Sequence, residues 1–282
     1  MELIMKKASE DDKIRAVTMD GSRANKNAVH DEYSDFDICY IVTDVRCFTK
    51  NKSWIDCFGE VLIAQYPTDW YNHPYDYGSH DNFTYLIQFM DGNRIDLTLI
   101  DVQNISLQVE NNEPRIVLLD KDNFNELTPV DSEEAFYIQK PSQMEYDNTC
   151  NEFRWLSVYI SKGLCRHEFY YAKFCYEVLI MKMFIKMLSW KIGTDHDFKV
   201  TTGGYNKYLK RFLSEAEMKR FQGIFPSGEY NDIWDKLFLM YDYFTELAAY
   251  VGGCLGYRFN DTETENVRNF VISRRSKCTY TE

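Results

Sequence analysis

Residues 19–43 read MDGSRANKNAVHDEYSDFDICYIVT. The stretch begins where the apolar run Ile14–Met19 meets Asp20, Gly21, Ser22 and Arg23, and it ends where Asp35, Phe36 and Asp37 enter a second apolar run, residues 38–42. Short apolar runs bounded by turn residues read as strands. On a strand, side chains at i and i+2 share a face, so Asp35 and Asp37 project together. Like charges held that close repel unless something cationic sits between them. A divalent metal resolves the conflict, since hard oxygen ligands suit Mg²⁺. Gly21 permits a tight turn with free backbone N–H groups, and Ser22 adds a hydroxyl, which together can cradle phosphate. The competing reading is that Asp-x-Asp is a solvated polar face on an exposed strand.

A third carboxylate argues for the metal site. Residues 83–90, the turn Asp91-Gly92-Asn93 and residues 94–100 read as a β-hairpin. In its second arm Ile95, Leu97 and Leu99 face one way and Asp96, Thr98 and Ile100 the other. An acid on an apolar strand is costly to bury without a partner. If this strand lies beside residues 35–43, Asp96 completes a cluster with Asp35 and Asp37. Otherwise it is an acid at a strand rim.

Around these strands the chain divides in two. In the N-terminal part, residues 1–10 read as a short helix, 24–34 as a polar loop and 54–65 as a helix, from the spacing of Trp54, Ile55, Phe58, Val61 and Leu62. Residues 66–82 form a long loop that either lines the site or is a surface excursion. Residues 101–111 read as a helix and 115–119 as a strand. The polar segment 120–141, with Pro129 and Pro141, holds the boundary, giving an α+β domain over 1–135 and an all-helical domain over 136–282. Helices are expected over 142–164, over 168–192 with Gly193 as the stop, once or twice within 205–225, over 231–254 ended by Gly252, Gly253 and Gly256, and over 261–274. Their aromatic and Met stripes are core.

The net charge of −12 and a pI near 5.0 argue against a nucleic-acid polymer as partner, because such proteins carry a basic footprint. An acidic field favours the approach of a small cation. The eight cysteines contain no C-x-x-C pair and read as reduced thiols of a cytoplasmic protein. The scattered histidines make a zinc site unexpected. Lys6 and Lys7 precede a polar stretch rather than a signal peptide, and no apolar run is long enough to span a membrane.

Several segments together carry a specific resemblance: GSRANKN, SDFDICYIVTD, NRIDLTLI, QKPSQMEYDNTCNEF, SKGLCRHE, and SWKIG followed by FKV. They resemble the aminoglycoside 6-adenylyltransferases, streptomycin-modifying members of the DNA polymerase β-like nucleotidyltransferase superfamily, from about Asp11 to about Val267. The resemblance implies a nucleotidyltransferase domain (a mixed sheet flanked by helices), a helical substrate-binding domain, and an active site in the cleft between them. It implies transfer of AMP from ATP to the 6-hydroxyl of streptomycin with release of pyrophosphate, conferring antibiotic resistance. Asp35 and Asp37 would ligate the metal, two Mg²⁺ ions in such chemistry. Asp96 would be a third ligand, the base, or both. Gly21 and Ser22 would bind the triphosphate. Arg23 reaches phosphate or pairs with an acid. Lys199 and Lys207 are further phosphate candidates. Streptomycin is guanidinium-rich, so Glu145, Asp147, Glu152, Trp155 and Tyr159 are the candidate acceptor contacts, with Glu152 foremost. Where the family commonly has Gly-Lys-Asn-Tyr-Lys, this chain has Gly203-Gly204-Tyr205-Asn206-Lys207, so Gly204 replaces a lysine. The N-terminus is short beside the family pattern. A different aminoglycoside, a protein hydroxyl, and a silent nucleotide-binding module are the other readings, and the oligomer is a monomer or a homodimer.

Overall fold

The computed structural model describes residues 1–70, 82–110 and 112–278. The chain separates into two compact units, Met1–Ala135 and Phe136–Glu282.

The first unit is built on a six-stranded mixed sheet in the order β3-β4-β5-β2-β1-β6, with β1 Ile14–Met19, β2 Phe36–Val42, β3 Val61–Gln65, β4 Asn82–Phe89, β5 Arg94–Asp101 and β6 Ile116–Asp120. The pair β2–β5 is parallel and every other pair is antiparallel. Helices α1 Glu2–Glu10, α2 Gly21–Ala24, α3 Arg46–Thr49 and α4 Ser106–Val109 complete the unit. One sheet face carries the larger core, where Ile38, Tyr40, Tyr85, Leu97 and Leu99 pack with Ile4 of α1 and Phe48 of α3. Two buried tyrosines satisfy their hydroxyls on backbone: Tyr40 donates to Ile4 O at 2.7 Å and Tyr85 to Phe48 O at 2.7 Å. The other face holds a smaller cluster with Ala16, Cys39, Ile41 and Ile100. Strand alternation puts Thr18, Asp20, Asp37 and Asp96 on that second face, towards one end.

Two expectations for this unit are corrected. Residues 54–65 are not one helix. Lys52–Phe58 is a run of 3₁₀ turns, interrupted at Gly59, and Val61–Gln65 is the edge strand β3. Residues rich in β-branched character suit a strand, and pairing with β4 overrides the apparent helical spacing. In the expected helix 101–111, Asp101 ends β5 and residues 102–110 form a 3₁₀ turn and the single turn α4, with Asn111 outside the described residues. Most of the expected loop 66–82 also lies outside them. Its described part ends β3, makes a 3₁₀ turn over Pro67–Asp69 and resumes in β4.

The second unit is helical: α5 Gln143–Cys165, α6 Phe169–Phe174, α7 Met181–Asp195, α8 Glu215–Gln222, α9 Tyr230–Leu255 and α10 Asp261–Arg275. A wider π turn over Cys175–Ile180 joins α6 to α7. Its core centres on Phe153 and Phe244, whose rings stack 3.7 Å apart, with Tyr146, Tyr176, Trp234 and Tyr241 buried around them. Gly193 does not stop its helix, which runs on to Asp195. A Cβ there would lie 2.6 Å from the Phe198 ring, so glycine is required by the returning chain. Likewise α9 continues through Gly252 and Gly253 and ends with Gly256 in the left-handed region.

The cysteines are also corrected. Cys165 and Cys278, separated by 113 positions, form a disulfide with Cα atoms 5.2 Å apart. That spacing in space suits a bridge and has no trace in the local sequence. The other six are free. No helix among the described residues is long and apolar enough to cross a membrane.

Candidate active site

The site is assembled by strand register. In the parallel pair β2–β5, Asp37 lies directly beside Asp96. Asp35 precedes β2 by one residue and shares the face of Asp37. Arg94 lies two residues before Asp96 on β5, so it too is on that face. Its guanidinium grips Asp96 with two bonds, Nε to Oδ1 at 2.7 Å and Nη2 to Oδ2 at 2.7 Å, and reaches Asp35 Oδ2 at 3.4 Å. A forked, charge-assisted pair of this kind is strong and directional. Burial, then the charges of Asp96, Asp35 and Asp20, push Asp37 up to about 6, with Arg94 opposing. Burial raises Asp96 as well, again against Arg94.

Gly21 lies against this cluster. Its φ is +67°, and a Cβ built there would fall 1.9 Å from Asp37 Oδ2. Only glycine both adopts that backbone and leaves room for the carboxylate. The Asp20 N–H donates to Asp37 O at 2.9 Å, fastening the α2 turn to β2. Asp20 itself sits in a second network: Gln108 Nε2 donates to its Oδ2 at 2.6 Å and Arg115 Nε to its Oδ1 at 3.2 Å. Arg115 also donates to the Gln108 carbonyl. Arg23 neither meets a carboxylate nor stands open. Its Nε and Nη2 donate to the carbonyls of Ser34 (3.1 and 2.7 Å) and its Nε to that of Asp35 (3.1 Å), while its plane lies 3.9 Å over Phe36. It braces the loop that delivers Asp35.

Among the described residues, no three His, Cys, Asp or Glu side chains form a ready-made metal cage. The donor set still fits a hard divalent cation: adjacent aspartates in register, partly buried, where burial and then mutual repulsion raise Asp37.

In the helical unit, Glu145 serves α5 itself. It forms a capping box with Ser142, accepting from the Ser142 N–H and hydroxyl, both at 2.9 Å, and these bonds lower its pKa. Asp147 accepts from Gln143 at 2.7 Å. Glu152 and Trp155 are exposed on α5. Tyr159 is half-buried, its ring 5.7 Å from that of Trp155. Lys199 is exposed, and Lys207 lies 5.3 Å over Tyr208. At Gly204 a Cβ would meet nothing within 4 Å.

The streptomycin adenylyltransferase family matches residues 1–274. The chain belongs to that family. Among its relatives, an aminoglycoside 6-adenylyltransferase of Bacillus subtilis (strain 168) is 34% identical over 262 residues, covering 93% of this chain and 92% of the relative. One of Campylobacter jejuni is 33% identical over 276 residues, covering 98% and 94%. A crystal structure of an aminoglycoside 6-adenyltransferase from Bacillus subtilis is 30% identical, covers 98% of this chain and 97% of that one, and gives a TM-score of 0.49. As a streptomycin adenylyltransferase family member the chain is a nucleotidyltransferase. Two of its site residues escaped sequence reasoning. Arg94 was visible in principle, two residues before Asp96 and so on the same strand face. Asp20 was visible as the acid directly before Gly21, but its partners Gln108 and Arg115 come from distant segments.

Proposed function

We propose that the protein transfers AMP from ATP to an aminoglycoside hydroxyl, the 6-hydroxyl of streptomycin, releasing pyrophosphate. The observation that carries the reading is the in-register pair Asp37 and Asp96 with Gly21 against it, in a chain of this family. Attack of a hydroxyl on the α-phosphate needs charge neutralisation, alignment and a proton acceptor. Asp35, Asp37 and Asp96 would hold Mg²⁺, which when bound neutralises the charge that develops on the phosphoryl oxygens. Gly21 and Ser22 offer backbone N–H groups and a hydroxyl to the triphosphate of ATP, and Lys199 and Lys207 offer cations. The hydroxyl proton goes to a carboxylate of the cluster. Asp37 and Asp96 are the candidates, because burial raises the proton affinity of both. Glu152 and Trp155, exposed on α5, suit the guanidinium groups of streptomycin through charge-assisted hydrogen bonds and cation–π contact. Glu145 supports them by holding the first turn of α5.

The test is a mass spectrum of streptomycin after incubation with the protein, ATP and Mg²⁺. An AMP adduct with release of pyrophosphate is expected. No adduct, with ATP still bound, would reject streptomycin as the acceptor.

A further inference from the structure

The helical unit contains a cavity of about 560 Å³ where the C-terminal end of α5 meets that of α10. Four of its lining side chains are cationic: Lys162 and Arg166 on the α5 side, Arg274 and Lys277 on the α10 side. This concentration stands out in a chain whose net charge is −12. Cations do gather at helix C-termini, where the carbonyl dipoles favour them. That effect places single lysines and arginines but does not by itself close them around a hollow. Among the described residues, the carboxylate that answers them is Glu168, 4.0 Å from Arg166 Nη1 and so at the limit of an ion pair. Arg274 is the informative member. Its guanidinium lies 4.4 Å over Phe270, yet its Nε is buried with no hydrogen-bond partner. No carboxylate among the described residues meets that nitrogen, so the Arg274 charge is not compensated through it.

The cluster is also held in place. The Cys165–Cys278 disulfide forms part of the lining and joins the two helix ends. Lys162 lies three positions before the first half-cystine and Lys277 one before the second, so the bridge keeps both near the hollow.

We propose that this cavity is a binding site for a short condensed phosphate, either free pyrophosphate or the polyphosphate tail of a nucleotide. Its volume lies within the range of small-ligand pockets, roughly 300–1,000 Å³. Two guanidinium forks and two ammonium groups supply the donors that multivalent oxyanions take. His167 is the one ring among the described lining residues, which offer no apolar sandwich for a base, and recognition is of phosphate. All of its described lining belongs to the helical unit, and it does not depend on the function proposed above.

The test is calorimetric titration of the full-length, non-reduced protein with sodium pyrophosphate in the presence of a chelator. Wild type is expected to bind. The double variant Lys162→Gln, Lys277→Gln is expected to bind roughly tenfold more weakly, each removed cation being a partly solvated charge contact. Both lysines are exposed, so folding is unaffected. The double variant Lys182→Gln, Lys210→Gln removes the same charge from other exposed positions and should bind as wild type does. ATP binding equal to that of tripolyphosphate, and weakened in the first double variant, identifies a nucleotide tail as the source. Pyrophosphate binding weakened in the first double variant, with ATP binding unchanged by it, identifies the free anion. The proposal is overturned if pyrophosphate gives no binding, if the first double variant retains wild-type affinity, if the control pair falls equally, or if sulfate binds as tightly as pyrophosphate. A DNA oligonucleotide held more tightly through the same two lysines would overturn it as well.

Discussion

Replacing Gly21 by alanine tests whether the α2 turn exists to make room for Asp37. The new methyl would fall 1.9 Å from Asp37 Oδ2 and 2.7 Å from its Cγ, where ordinary contact begins at 3.4 Å. The carboxylate must therefore retreat by about 1.5 Å, or the turn must lift away from β2. A misplacement of about 1 Å in a reacting group costs on the order of 10²-fold in rate, so AMP transfer should fall at least about 100-fold. Separately, alanine at a φ of +67° pays a left-handed backbone penalty of about 1–2 kcal/mol, which lowers Tm by a few degrees. Gly92→Ala separates the two effects. Gly92 has a φ of +88° with nothing within 4 Å of its Cβ, so it carries the backbone penalty without the collision. Initial rates of transfer and Tm would be measured for both. Gly21→Ala with a rate within about threefold of wild type, or Gly92→Ala with an equal loss, would refute the reasoning.

Three further outcomes are expected. Asp37→Asn should abolish transfer and leave the fold intact. Because burial and neighbouring carboxylates raise Asp37 to about 6 from 3.8, its ionised form opposes folding: the penalty is absent below the unfolded value and accumulates as pH rises through about 6. The variant should therefore gain about 2–3 kcal/mol over wild type above that pH, an advantage that vanishes towards pH ~4. Urea midpoints across this range check it; a pH-independent difference would remove the electrostatic explanation, and near-normal turnover would remove Asp37 from the site. Glu152→Gln should raise the KM for streptomycin about tenfold while moving that for ATP less, since one charge-assisted hydrogen bond is weakened; the reverse pattern would take Glu152 out of acceptor recognition. Cys278→Ser should lower the urea midpoint of the non-reduced protein, because the bridge closes a loop over 113 positions and chain entropy sets a ceiling of about 4–5 kcal/mol on its effect. Equal midpoints with and without dithiothreitol in wild type would argue against the bridge.

How much of this was legible depended on whether the signal was local. The hairpin over β4 and β5 announced itself through Asp91-Gly92-Asn93 and the alternation that follows, and the inward face of Ile95, Leu97 and Leu99 came with it. The placement of Asp96 beside Asp37 was only a conditional, because pairing between strands so far apart in sequence leaves no local mark. Trp54–Gln65 misled for a related reason: apolar residues at helical spacing also satisfy a 3₁₀ turn followed by an edge strand, and β4 decides between them. Glu145 reads as a candidate acceptor contact, although Ser142 three positions earlier spells a capping box. Arg94 carries its signal in the same alternation as Asp96, since two residues apart on β5 they share a face and a like-charged cluster needs a countercharge there. The Cys165–Cys278 bridge could not be read at all.

The arrangement of Arg94 and Asp96 on a single arm of the hairpin bears on how the sheet comes together. Hairpins form early and fast, whereas parallel pairing across a long intervening segment is slow. A β5 strand carrying Asp96 alone would arrive at β2 against the repulsion of Asp35 and Asp37. Carrying Arg94 two residues ahead, it arrives as a nearly neutral dipole whose positive end meets Asp35. The same guanidinium that compensates the finished cluster thus removes an electrostatic barrier from the late docking step, and a chain lacking it should refold more slowly even where its native state is recovered.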